Sequence, residues 1–279
     1  MKRRPRPDPT TAALWCWGFV VLSFLFLPIL VMVGYSFNTG RALSVWAGAG
    51  LDAFRSAAAN APLVASVGTS LKAALGASVI AVLVGTVAGI LLGRRQGLLS
   101  RALVLVILLV LVTPEVVGAV SLLIWFVRIG GPLDDGMVRL WVGHSVVGVA
   151  VVALIVRARI SQLDPALEEA SADLYAGIWS TFRSVTLPLL LPAIVSGGLL
   201  AFSTSLDSTV ISAFVSVAGT TPFPVYVLSA VRAELRPEVA AMSTVLLLMT
   251  LLALALVFAV LRRATGRSAD AAKGLTGLG

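Results

Sequence analysis

The chain has 279 residues, 58% of them hydrophobic and 12% charged, with a mean hydropathy of +1.01. Soluble domains carry roughly 25% charged residues, so this composition excludes an ordinary water-soluble globule. The net charge of +8 comes without an aromatic-interleaved basic patch or a nucleic-acid motif, which excludes a nucleic-acid partner.

Taken in order, a basic start (Lys2, Arg3, Arg4, Arg6) precedes an apolar run over 12–37. That run exceeds the roughly 7–15 residues of a signal-peptide core and reads as a retained transmembrane helix. Trp15 and Trp17 mark one interface and Tyr35 the other, and Pro28 is expected to kink it. Residues 39–63 form a polar-to-mixed loop. A second span over 64–93 holds Gly85 and Gly89 at the four-residue spacing that lets helix backbones approach closely. The third span, 102–127, contains Pro114-Glu115, and a turn-rich loop over 128–139 leads to the fourth, 140–156. After a charged stretch come the fifth span, 189–217, a short outer-face helix around Tyr226, and the sixth span, 239–261. The Gly/Ala-rich tail after Arg267 is expected to fray.

Basic residues alternate along this order. Clusters at the start, at Arg94, Arg95 and Arg101, at Arg157, Arg159 and Arg183, and at Arg262, Arg263, Arg267 and Lys273 are separated by the sparser Arg41, Arg55, Arg128, Arg139, Arg232 and Arg236. The positive-inside rule then puts both termini and the loop after the fourth span in the cytoplasm. The single Cys16 allows no intrachain disulfide, and the lone His144 reads as a packed histidine rather than a ligand. No phosphate loop, Ser/His/Asp set or HExxH helix is present. No catalytic residue and no metal ligand is expected, and ATP is not expected to bind this chain.

The charged stretch carries the most information. Asp164 is placed to cap a short helix with Pro165 at its first position. Leu167, Ala170 and Leu174 share one face, Glu169 and Asp173 another, and Gly177 is the expected stop. A second amphipathic piece (Trp179, Phe182, Val185) is expected to end at Pro188. The acidic face argues against a helix lying on lipid, because interfacial helices favour Lys and Arg; it suits a protein partner in water.

Two acids fall inside spans. Glu115 lies about halfway along the third, and Asp207 deep in the fifth within a polar run that includes Ser205 and Ser208. An intramembrane carboxylate costs at least roughly 2.5–3.5 kcal/mol, so such residues face a cavity or a partner. No Lys or Arg is placed within these spans to neutralise both acids, with Lys72 near the outer end of the second span as the candidate, which points to a cationic permeant as counter-ion. The competing reading is a pair of protonated structural acids.

Glu169-Ala170-Ser171, followed by Val185-Thr186-Leu187-Pro188, resembles the EAA loop of binding-protein-dependent ABC importer permeases, with Tyr175 where that family has glycine. Thr113-Pro114-Glu115-Val116-Val117, Ser205-Leu206-Asp207, Ser212-Ala213-Phe214-Val215 and Arg236-Pro237-Glu238-Val239 are similar to the permeases of spermidine/putrescine importers. The resemblance implies an all-α, type I ABC importer permease fold with six transmembrane helices. Residues 1–63 would hold the N-terminus, first helix and outer loop, 64–262 the core with its coupling loop at 161–188, and 263–279 a cytoplasmic tail. Glu168, Glu169, Ala170, Ser171, Asp173, Tyr175 and Gly177 become ATPase-coupling residues, and Glu115, Ser205, Asp207 and Ser208 the substrate path. Implied partners are two ATPase subunits carrying ATP and magnesium, a second homologous permease, an extracytoplasmic solute-binding protein and the lipid of a bacterial inner membrane. Polyamines are the expected cargo. Iron, sulfate, phosphonate or another organic cation are alternatives, and a secondary transporter, which should show internal repeats, is a lesser one.

Overall fold

Hydropathy of this kind predicts helices throughout, and helices are what form. The structure, a computed structural model, describes residues 9–95, 97–233 and 235–276; the basic residues at 2–6 lie outside that range. Among the described residues, five helices are long and apolar enough to cross a membrane, and a bent pair supplies a sixth apolar segment. The chain divides into two compact units, one formed by residues up to Ala61 with Ala230–Met249, the other by Pro62–Ser229 with the residues from Thr250 onward.

In the first unit, α1 (Pro9–Tyr35) keeps Pro28 inside an unbroken helix, and its apolar window buries nothing within the chain. The loop beyond it is organised by the buried Asn38. Its amide donates to the carbonyls of Val45 (2.8 Å) and Ala42 (3.4 Å), and its oxygen accepts from the Gly40 and Ala47 amides. Trp46 packs edge-on against Tyr35. After α2 (Asp52–Ala59), the Asn60 amide donates to Glu238 at the start of α12 (Pro237–Thr276). The α12 backbone stays helical past Arg267 to Thr276, so the tail expected to fray continues the helix.

The second unit is built around α6 (Gly136–Ile160), which extends the predicted fourth span at both ends. It packs against α3 (Ala61–Arg94). A Cβ on Gly85 would sit 2.7 Å from Val152 Cβ, and one on Gly89 2.7 Å from the Ala153 carbonyl, so the predicted small-residue seam is the α3–α6 contact. Between helices in lipid there is little hydrophobic drive, and close approach is what gains dispersion energy. Further on, α9 (Leu187–Asp207) closes a core of Ala81, Val152, Val156, Ile160, Leu190 and Ala201.

Three expectations need correction. The third span is not one helix: α4 (Leu98–Val112) and α5 (Glu115–Ile129) meet at a bend of 106°. Thr113 is extended (φ −61°, ψ 129°), as a residue before proline tends to be, and Pro114 has no N–H to continue the helix. Fifteen residues reach about 22 Å, so neither leg alone crosses a core of roughly 30 Å. The fifth span is also broken: α9 ends at Asp207, Ser208 is extended (φ −67°, ψ 90°), and α10 (Thr209–Val215) begins anew. Pro188, in turn, ends nothing. After α7 (Ala166–Asp173), α8 (Ile178–Thr181) runs through a π-helical turn, Phe182–Thr186, straight into α9. There the Leu187 N–H reaches back five residues to the Phe182 carbonyl. The widened turn makes room for a proline that would clash in a regular helix. The short helix expected around Tyr226 is present as α11 (Phe223–Ala233).

Candidate functional site

The two breaks face each other. Glu115 is the first residue of α5 and Asp207 the last of α9, and the Ser208 hydroxyl between α9 and α10 donates to Glu115 Oε1 at 3.4 Å. Together with Ser205 and Trp125 these residues line a cavity of about 670 Å³. All four residues predicted for a substrate path, Glu115, Ser205, Asp207 and Ser208, are thus brought together, though not at mid-helix as expected. Both acids are at helix ends and both are exposed within the chain. The volume falls in the range of small-molecule sites, roughly 300–1,000 Å³. No Lys or Arg is among the lining residues, Lys72 included. The carboxylates differ in setting. Glu115 sits at a helix N-terminus, where the backbone dipole favours negative charge; Asp207 closes a C-terminal end, where it does not.

His144 has the packed role predicted for it, and a further one that was not. From α6 its Nδ1 lies 2.7 Å from the Ser205 hydroxyl and its Nε2 3.0 Å from that of Ser212. One buried ring therefore ties α9 and α10 to α6 on either side of the Ser208 break. The signal available in sequence was the pair of serines flanking Asp207.

At the opposite end of α6 lies the charged loop. The Asp164 carboxylate accepts from the Ala166 amide at 3.0 Å, the predicted cap. The helix stop is not Gly177. Tyr175 takes the left-handed conformation (φ 59°), the Ala176 amide bonds to Ser171 O and the Tyr175 amide to Ala172 O. This is the reciprocal pair of a Schellman ending. Gly177 (φ −68°, ψ 160°) is extended and leads into α8. Tyr175 therefore does what the family glycine was expected to do, at the cost of holding a side chain in that region. The two neighbouring acids part company. Glu168 turns inward: its Oε1 accepts from Arg94 at 2.5 Å and from Thr186 Oγ1 at 2.8 Å, bracing the loop on the end of α3. Glu169 and Asp173 point outward without a partner among the described residues. Ser171 shares a hydrogen bond with Thr181, fixing α7 to α8. Ala170 is exposed, and beyond it Leu174, Tyr175 (98% exposed), Ile178 and Trp179 form an apolar tip. An exposed apolar tip of this kind is characteristic of surfaces that contact protein or membrane. The Arg94–Glu168 pair, 74 residues apart, had no signal in the sequence.

Long apolar helices, a largely apolar cavity carrying two carboxylates at facing helix breaks and an exposed loop at the bundle's end define a multi-pass membrane transport protein. Residues 85–267 match the family described as binding-protein-dependent transport system inner membrane component. The chain is 39% identical over 248 residues to the putrescine transport system permease protein PotI of Escherichia coli strain K12, covering 83% of this chain and 85% of that one. It is 32% identical to the spermidine/putrescine transport system permease protein PotC of Haemophilus influenzae, covering 84% and 90%. A solved bacterial ABC transporter involved in import of the acidic polysaccharide alginate shares the fold, with a TM-score of 0.66 at 14% identity over 93% of this chain and 99% of that one. The chain belongs to the binding-protein-dependent inner-membrane transport family. It is an ABC importer permease of the inner membrane, and membership of that family implies partnership with an ATPase and a binding protein. Membership sets aside the secondary-transporter alternative.

Proposed function

We propose that the chain carries polyamines inward by alternating access, as one of two homologous permease subunits. The observation that supports this cargo is the pair of accessible carboxylates, Glu115 and Asp207, around a cavity lined by no basic residue. The relatives' names support it independently. A cation passing between the acids offsets their desolvation cost. The loop at 161–188 is the coupling element. Glu169, Asp173 and the apolar tip at Tyr175 dock on the ATPase, while Glu168, Ser171 and Gly177 hold the loop's shape. Two ATPase subunits bind ATP and magnesium; this chain binds neither. An extracytoplasmic solute-binding protein delivers the substrate. The basic clusters put both termini and the coupling loop in the cytoplasm, with 64–262 as the transport core and 263–279 as a tail.

The assembled transporter in proteoliposomes tests this reading. Labelled putrescine or spermidine is expected to cross only when the binding protein is on one face and ATP on the face carrying residues 161–188. Uptake of sulfate, phosphonate or iron in place of polyamine would overturn the cargo, and uptake with ATP on the other face would overturn the orientation.

A further inference from the structure

Five arginines gather where α3 and α6 end and α4 begins. Two are committed within the chain: Arg94 pairs with Glu168, and Arg159 Nε donates to the Leu189 carbonyl at 3.2 Å. The other three, Arg95, Arg101 and Arg157, come from three different helix ends and line one cavity of about 240 Å³ with Ser100 and Ser161. No carboxylate is among its lining residues, and none of the three has an ion pair among the described residues. The serine hydroxyls already donate to backbone, Ser161 to Arg157 O and Ser100 to Leu92 O. The cavity's free donors are therefore the guanidinium groups. The uncapped start of α4, with no acid in its first turn, adds positive potential.

Three guanidinium groups around so small a space repel one another, and an oxyanion relieves that. Guanidinium forks match phosphate oxygens two at a time. The cavity lies where the apolar segments end, beside the coupling loop, which is the level of lipid headgroups. Next to it α4 buries no residue, and Leu98 (85% exposed), Leu99 and Leu105 offer an apolar track leading away from the cavity. A free phosphate needs no such track; a phospholipid does.

We propose that Arg95, Arg101 and Arg157 form a binding site for the phosphate of an anionic phospholipid whose acyl chains lie along α4. This goes beyond the transport reading and does not depend on the cargo.

The assembled transporter, taken from bilayers of mixed phosphatidylglycerol and phosphatidylcholine, is examined by native mass spectrometry for retained lipid. The wild type is expected to retain phosphatidylglycerol in preference to phosphatidylcholine. Arg95→Gln, Arg101→Gln and Arg157→Gln should each lower that retention about fivefold, while Arg128→Gln, at the end of α5 and outside the cavity, leaves it unchanged. Arg157→Lys keeps the charge and should keep part of the retention, which separates loss of the site from loss of the fold. Wild-type retention in all three glutamine variants would overturn the proposal. So would displacement of the lipid by inorganic phosphate that is itself retained, which would make the ligand free phosphate. Loss of the ATPase from the purified complex with lipid retention intact would overturn it in favour of a protein contact.

Discussion

A transporter carrying Glu169→Lys is expected to import nothing measurable, although the chain inserts and folds. The two adjacent acids make the argument sharp. Glu168 is held by Arg94 and Thr186, so changing it disturbs the loop itself. Glu169, one position on, is exposed and has no partner among the described residues, so reversing its charge leaves α7 intact and falls entirely on whatever docks there. Like charges forced together in an interface, or an interfacial partner left unpaired, cost about 2–5 kcal/mol, enough to empty a docking site. Hydrolysis of ATP in the presence of loaded binding protein is the measurement, with copurification as control. Normal stimulation of hydrolysis in the variant would show that Glu169 lies outside the coupling contact.

Asp207→Asn should slow polyamine uptake about tenfold, equivalent to ~1.4 kcal/mol, with the affinity of the binding protein for its ligand unchanged. The substitution keeps the shape and removes the charge. A charge pair at 4 Å is worth about 4 kcal/mol at an effective dielectric of 20, so the expected loss takes only part of what the site can offer a cation. Glu115→Gln should cost less. Its carboxylate already gains from the α5 N-terminus and the Ser208 hydroxyl, whereas Asp207 sits at the unfavourable end of α9 and gains most from a passing cation. Wild-type uptake by Asp207→Asn would make the residue structural and remove the physical ground for a cationic cargo.

The spans were legible because apolar length is a strong signal, and the α3–α6 seam was legible from Gly85 and Gly89. The breaks were less so. Hydropathy averages over residues and carries no information about backbone direction, so 102–127 and 189–217 read as single rods. Pro114 was a visible warning for the first break. The second has neither proline nor glycine at Ser208, only the polar run through Asp207. The loop's cap at Asp164 is local and therefore legible. Its stop is not, because glycine is the usual left-handed residue and here Tyr175 takes that conformation two positions before Gly177. The inward turn of Glu168 depends on how the loop lies against the end of α3, a tertiary fact that no local pattern encodes.

The two facing breaks also govern the life of the chain before it has companions. Irregular backbone at membrane depth is tolerated only where protein or water covers it, and an exposed carboxylate in lipid costs at least roughly 2.5–3.5 kcal/mol. Asp207 and Glu115 lie open in the isolated subunit, so an orphan copy in lipid carries a standing penalty, one that the second permease proposed above would remove. On that proposal the open cavity would mark a subunit that has not yet been assembled. Pulse-chase labelling should find this chain short-lived when synthesised alone and long-lived when its partner subunits are supplied; equal lifetimes would show that the open cavity is harmless in the bilayer.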